Sequence, residues 1–192
     1  MELFLSVALG IGLSAACGMR VFAPFAVMSA AALTGQLGLS DSFGWIGTYQ
    51  ALVLFSVATL IEVLSYYIPW VDNLLDTIAT PAAILAGAIA TASVVTDMSP
   101  MMRWTLAIIA GGGTAGIIQM GTTWMRGVSS VTTGGLGNFV VATGEWMGSL
   151  TIATLSVLFP LLVVLFVAIL MIVIVRRRNR SNTSALYTPT MS

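Results

Sequence analysis

The sequence predicts an all-α, polytopic membrane protein of about five spans, one or two of them broken or re-entrant. Three observations carry this. Of 192 residues, 58% are hydrophobic and only 7% charged, with a mean hydropathy of +1.01; a soluble domain carries about 25% charged residues. Long apolar runs, each able to cross a hydrocarbon core of about 30 Å, alternate with Gly-, Pro- and Asp-containing breaks. Single ionisable residues sit inside those runs, where each costs about 2.5–3.5 kcal/mol on insertion and so faces protein or water.

The first apolar segment, Leu3 to Leu33, would be about 46 Å long as one helix. Gly18, Arg20 and Pro24 interrupt it, which predicts a broken helix or re-entrant pair, Leu3–Cys17 and Val21–Leu33, with Arg20 near the break. The segment opens with Glu2 and lacks the basic start of a signal peptide, so it reads as a retained helix. Ala8, Gly12 and Ala16 form a small-residue seam that allows close helix approach. Thr34 to Gly47 is turn-rich, and Tyr49 to Ile68 is the second span, with Thr59, Glu62 and Tyr66 on one face. Pro69 ends it, and Tyr66, Tyr67 and Trp70 fit an interfacial aromatic belt.

Asp72 is expected to cap a helix starting at Asn73, with Asp76 near its first turn. The third span runs from about Thr80 to Val95, bent by Pro81, with a stripe of Ala83, Gly87 and Ala90. Asp97-Met-Ser-Pro is a tight connection, and Arg103 opens a fourth span through Ile118. From Gly111 to Glu145 the apolar run gives way to Gly, Ser and Thr. Irregular polar backbone at membrane depth needs protein or water around it, so this stretch reads as a site or as a large loop. The last span is Trp146 to Val175, kinked at Pro160. The helical domain thus covers residues 1–175. Residues 176–192 are a basic stop-transfer cluster, Arg176 to Arg180, and a disordered Ser/Thr-rich tail. The Arg cluster puts the C-terminus in the cytoplasm of a cell-membrane protein. Counting back puts Asp97 and Arg103 inside and Asp72, Asp76 and the Gly/Ser/Thr stretch outside. The N-terminus lies inside if the first segment is a hairpin and outside if it crosses once.

Fragments of the two halves match: S-A-A then M-R at Arg20 with T-A-G then M-R at Arg126, and L-S-Y-Y-I-P at Pro69 with L-S-V-L-F-P at Pro160. Either the matches are chance, or an inverted repeat brings breaks at Arg20 and Arg126 together at mid-membrane.

Absences narrow the chemistry. There is no His, and Cys17 is the single cysteine, so His-based catalysis, His metal sites and an intrachain disulfide are all excluded. The seven basic residues are all Arg and balance seven acids, leaving no basic patch for nucleic acid. No catalytic residue, metal or cofactor is assigned.

The candidate ion or solute pathway is Arg20, Glu62, Gln119, Arg126 and Glu145. Glu62 in mid-span reads as a cation or proton site, or as a structural pair with Arg20 or Arg126. Gln119, Thr123 and Arg126 recur on one helical face, lining a pathway or packing on Glu62 or Glu145. Gly134, Gly135, Gly137 and Asn138 form either an anion-binding backbone loop or a turn. Asp72 and Asp76 serve as a helix cap or a weak cation site.

L-I-E-V-L at Glu62, I-P-W-V-D-N-L-L-D through Asp76, A-G-G-G-T-A from Ala110, T-T-G-G-L-G-N ahead of Glu145 and the opening G-M-R-V-F-A-P-F resemble the multi-pass membrane proteins grouped as domain of unknown function 4126. The similarity runs from the first segment to the Arg cluster. It departs at Tyr66, where an acid is usual, and at Trp146, where a second acid follows the glutamate. That family has no assigned activity, so the resemblance implies architecture and no reaction. The functional expectation is a small transporter or channel for an ion or small solute; the alternative is a non-transporting structural or assembly protein held by intramembrane ion pairs. An enzyme or flippase acting on lipid ranks last. The lipid bilayer is the expected surrounding, and the small-residue seams fit a homo-oligomer as well as packing within one chain.

Overall fold

The computed structural model describes residues 2–65, 69–163, 165, 166, 169 and 172, with the backbone alone for 69–77. The described residues contain helices and no strand. The elements are α1 (Glu2–Cys17), α2 (Phe22–Leu33), a 3-10 helix (Asp41–Gly47), α3 (Tyr49–Ser65), α4 (Pro69–Val94), α5 (Pro100–Leu106), a π-helical segment (Ala107–Gly112), α6 (Gly113–Thr133) and α7 (Asn138–Leu158).

The first apolar segment is a hairpin. Glu2 and Leu5 of α1 and Gln36–Gly38 beyond α2 line one cavity of about 280 Å³, together with Thr96, Asp97 and Pro160, so both ends of the pair lie at the same end of the bundle. The break at Gly18–Val21 is the tip. Gly18 is needed there because a Cβ would come within 2.5 Å of the Ala115 carbonyl oxygen on α6. Pro24 does not break the helix. It sits in the first turn of α2, where its missing N–H would have had no intrahelical partner.

The other helices line up antiparallel around this hairpin. On α3, Phe55 stacks on Phe25 of α2 with ring centroids 5.2 Å apart. Thr91 of α4 faces Gly10 of α1, and Gly87 faces Ser14. On α7, the Ser149 hydroxyl donates to the Ala16 carbonyl at 3.0 Å, while Ser156 and Val163 both meet Gly12. Those two residues reach the same glycine because the chain bends at Phe159, which ends α7 with φ −141° and ψ 64°.

The distribution of polarity is inverted relative to a water-soluble bundle. On α6 the buried stripe is Ala115, Gln119, Thr122 and Arg126, whereas Met120, Trp124, Val128 and Val131 are exposed. On α3 only Ala51 and Phe55 are buried, and Val53, Leu54, Val57, Leu60, Ile61 and Leu64 face outward. Pro100–Thr133 is long and apolar enough to cross a membrane alone. The 3-10 helix and α3 qualify only together, as a pair bent by 67°. Glu2–Cys17, Phe22–Leu33 and Ile78–Val94 are apolar but shorter.

Several expectations are corrected. The Gly111–Glu145 stretch is not irregular backbone: it is the end of the π segment, all of α6, a four-residue turn and the start of α7. Glycine lowers helix propensity by about 1 kcal/mol, but an unpaired peptide group in apolar surroundings costs more, so the helix persists. α4 begins at Pro69, so Asp72 is not the N-cap and falls at the end of the first turn; the side chains of Asp72 and Asp76 lie outside the described residues. α4 also continues through Pro81 as one helix. The fourth helix begins at Pro100, with Ser99 as N-cap. The helix expected from Trp146 begins earlier, at Asn138. The repeat fails locally, because Arg20 sits at a break while Arg126 lies inside uninterrupted α6. Pro69 likewise starts a helix, whereas Pro160 follows a bend. Tyr66, Tyr67, the side chain of Trp70, and the Arg176–Arg180 cluster with its tail lie outside the described residues.

Candidate functional site at the hairpin tip

Four charged side chains from separate elements meet at the tip of the α1–α2 hairpin. Arg20 comes from the break itself, Glu62 from the last turn of α3, Arg126 from α6 and Glu145 from α7. The turn after Thr133 sets the last two opposite each other: Arg126 lies two turns before it and Glu145 two turns after Asn138, on antiparallel helices. Arg20, Arg126 and Glu145 are 2%, 2% and 4% exposed, which at such depth requires them to satisfy one another.

Glu145 is the bridge. Its Oε2 accepts from Arg20 Nη2 at 2.8 Å and its Oε1 from Arg126 Nε at 3.0 Å. Arg20 Nη2 also donates to the Ala142 carbonyl, one turn earlier on α7, at 3.3 Å. Glu62 does something different. Its two oxygens accept the backbone N–H groups of Val21 and Phe22, at 2.8 and 3.1 Å. These amides open α2, where Val21 brings no side-chain cap of its own. Glu62 therefore caps α2 from another helix, using the partial positive charge of its N-terminus. Arg20 and Arg126 lie within electrostatic reach of it.

The remaining pathway candidate, Gln119, is buried on the same face of α6 and donates to the Thr123 hydroxyl at 3.3 Å. The glycine loop stands apart. Gly134 and Gly135 adopt φ +63° and +91° in the turn between α6 and α7, a conformation glycine enters without strain. The Gly137 amide donates to the Thr133 hydroxyl at 2.8 Å, and the Asn138 side chain to Ser130 at 3.0 Å. Those groups close the turn on itself. No group of three or more Cys, Asp or Glu suited to a metal occurs among the described residues.

The residue types at the tip were legible because charge is rare in this chain. The partners of Glu62 were not, since backbone amides carry no residue signature. The usable signal was Pro24, which marks a helix start three residues after an uncapped position.

A family model described as "Domain of unknown function (DUF4126)" matches residues 7–180. The chain belongs to that family. Comparison with curated proteins and with solved structures gives no significant match.

Proposed function

Starting from that membership, we propose that the chain is a multi-pass protein of the cell membrane that moves a small ion or solute across the bilayer through the charge cluster at the hairpin tip. The observation that carries this is the convergence of Arg20, Glu62, Arg126 and Glu145 from four elements on a non-helical break inside an apolar bundle. Discontinuous helices whose ends meet charged groups at depth are how many transporters build solute sites. The outward-facing apolar surface of α3 and α6 supports a lipid environment, and the stacking of antiparallel helices supports several crossings. In this reading α3, α4, Pro100–Thr133 and α7 cross, while α1–α2 enters and returns. With the Arg176 cluster cytoplasmic, both chain ends, Asp97 and Arg103 face the cytoplasm, and the Gly134–Gly137 turn faces outward.

The test is flux in proteoliposomes. Wild-type protein is expected to carry an ion or small solute. Glu62→Gln, which keeps the shape but loses the charge that caps α2, is expected to cut that flux at least ten-fold while the protein still elutes as a folded species. Unchanged flux in the variant, or none in the wild type across inorganic and organic ions, counts against transport.

A second reading rests on its own observation. Glu145 is engaged in short, direct ion pairs with both Arg20 and Arg126. On this reading the charges fix helix register in a structural or assembly protein. Glu62→Gln then lowers thermal stability, or releases a co-purifying partner chain, with no flux to lose.

A further inference from the structure

The transport reading leaves the solute's charge open, and the geometry of the tip bears on it. The positive and negative halves of the cluster are built differently. Among the described residues, the negative half includes two carboxylates, Glu62 and Glu145, each at the end of a side chain with several rotatable bonds on a neighbouring helix. The positive half includes the Val21 and Phe22 amides, which are backbone and cannot be withdrawn. It also includes two guanidinium groups, each on a different oxygen of one carboxylate. Rotation of Glu145 or Glu62 would leave donors in place, with a planar oxyanion's shape already between them. A cation in the same place would instead lie between two guanidinium groups, Arg20 on one side and Arg126 on the other.

We propose that the site takes a small oxyanion of carboxylate or phosphate type, and that Glu145 is its internal competitor, holding the place between Arg20 and Arg126 that the solute takes. Glu62 holds the adjoining position on the α2 amides in the same way. The inference rests on the cluster being the solute site.

Chemical rescue tests it without relying on flux. Purified Glu145→Ala protein in detergent is melted by following tryptophan fluorescence in sodium formate, sodium acetate, sodium phosphate and sodium chloride at matched ionic strength, and again with potassium or choline acetate. Formate or acetate is expected to restore most of the lost melting temperature with any counter-cation. Acetate should also bind the variant at least ten-fold more tightly than the wild type. A phosphate response exceeding acetate identifies a tetrahedral rather than a planar oxyanion. Rescue that follows the cation, or no difference between carboxylates and chloride, overturns the proposal. Should Glu145→Ala not fold, Glu62→Ala removes the second plug while leaving the Arg20–Glu145–Arg126 bridge intact. The same oxyanion-specific stabilisation is expected there and, more weakly, in the wild type, and its absence from both is equally decisive. Proteoliposome flux separates the two claims. Oxyanion binding without flux refutes transport and leaves the site standing; flux of a cation without oxyanion binding refutes the site's assignment and leaves transport standing.

Discussion

Two buried polar regions hold the α1–α2 hairpin in the bundle, and they use opposite chemistry. The tip is held by full charges: Arg20, Arg126 and Glu145, with Glu62 on the α2 amides. Among the described residues, the stem is held by neutral polar groups. Ser14 of α1 donates to the Gly87 carbonyl of α4 at 2.7 Å, Thr91 of α4 donates to the Gly10 carbonyl of α1 at 3.1 Å, and the two hydroxyls are 2.8 Å apart. Each helix thus offers a glycine carbonyl and, four residues on, a hydroxyl, and the antiparallel pair exchanges them. Gly111 of the π segment closes the other side, where a Cβ would collide with the Thr91 hydroxyl and approach the Gly87 carbonyl at 2.6 Å. Neutral groups that satisfy each other at van der Waals distance cost little to bury and gain close packing. Charges cost several kcal/mol each to desolvate and repay it only while every partner stays. The stem is therefore suited to permanence and the tip to change.

Substitution at the tip breaks the contrast most strongly. Glu145→Leu leaves two guanidinium groups without their shared carboxylate, and removal of one partner from a buried pair costs about 3–5 kcal/mol. A midpoint shift in chemical or thermal unfolding near zero would show that the tip is hydrated rather than buried. Replacing all three members together, Arg20→Met, Arg126→Leu and Glu145→Leu, removes charge and partner at once. Such exchanges are commonly neutral or stabilising by about 1–4 kcal/mol, so the triple variant is expected to melt well above Glu145→Leu. It should also lose any flux completely. A triple variant that transports normally would assign the cluster to packing.

The stem comes next. Gly111→Ala forces a methyl group against Thr91 and the Gly87 carbonyl, and overpacking of this kind costs about 1–3 kcal/mol. Gly121→Ala is the internal control, since nothing lies within 4 Å of the added atom there. Equal melting temperatures for the two variants would mean that the helices separate freely at this crossing.

The two regions also differ in how far they could be read from sequence. Arg20, Glu62, Arg126 and Glu145 stand out because an apolar chain contains few charges, so their common location could be anticipated. Which acid meets which base depends on the relative depth of four helices: Glu145 bridges both arginines, while Glu62 takes the α2 amides. The hydroxyl exchange left almost no trace, because Ser, Thr and Gly are frequent in packed apolar helices. The seam Gly12–Ala16 was visible as a small stripe, but it faces α7, while the contact with α4 uses the neighbouring Gly10–Ser14 face. The all-helical class and the hairpin break followed from the long apolar runs and from Gly18-Met-Arg. The helical state of Gly113–Thr133 did not, since propensities measured in water undervalue the cost of an unpaired peptide in apolar surroundings.

The smallest effect is the most specific to the stem. Ser14→Ala and Thr91→Val each remove one hydroxyl and leave carbonyls that still accept bonds within their own helices, so each is expected to cost only about 0.5–1.5 kcal/mol. The informative quantity is their coupling. Three short contacts join Ser14, Thr91 and the two glycine carbonyls, while two hydroxyl protons are available to fill them. One contact must go without a proton of its own, and removing either hydroxyl relieves it. Each single variant gains that relief but the double gains it only once, so the double variant is expected to lose more than the sum of the single losses, with a coupling of about 0.5 kcal/mol or more. Strict additivity in a double-mutant cycle would mean that the hydroxyls act independently, each bonded to the opposite helix. The stem would then be two separate clasps, without the shared exchange that distinguishes it from the charged tip.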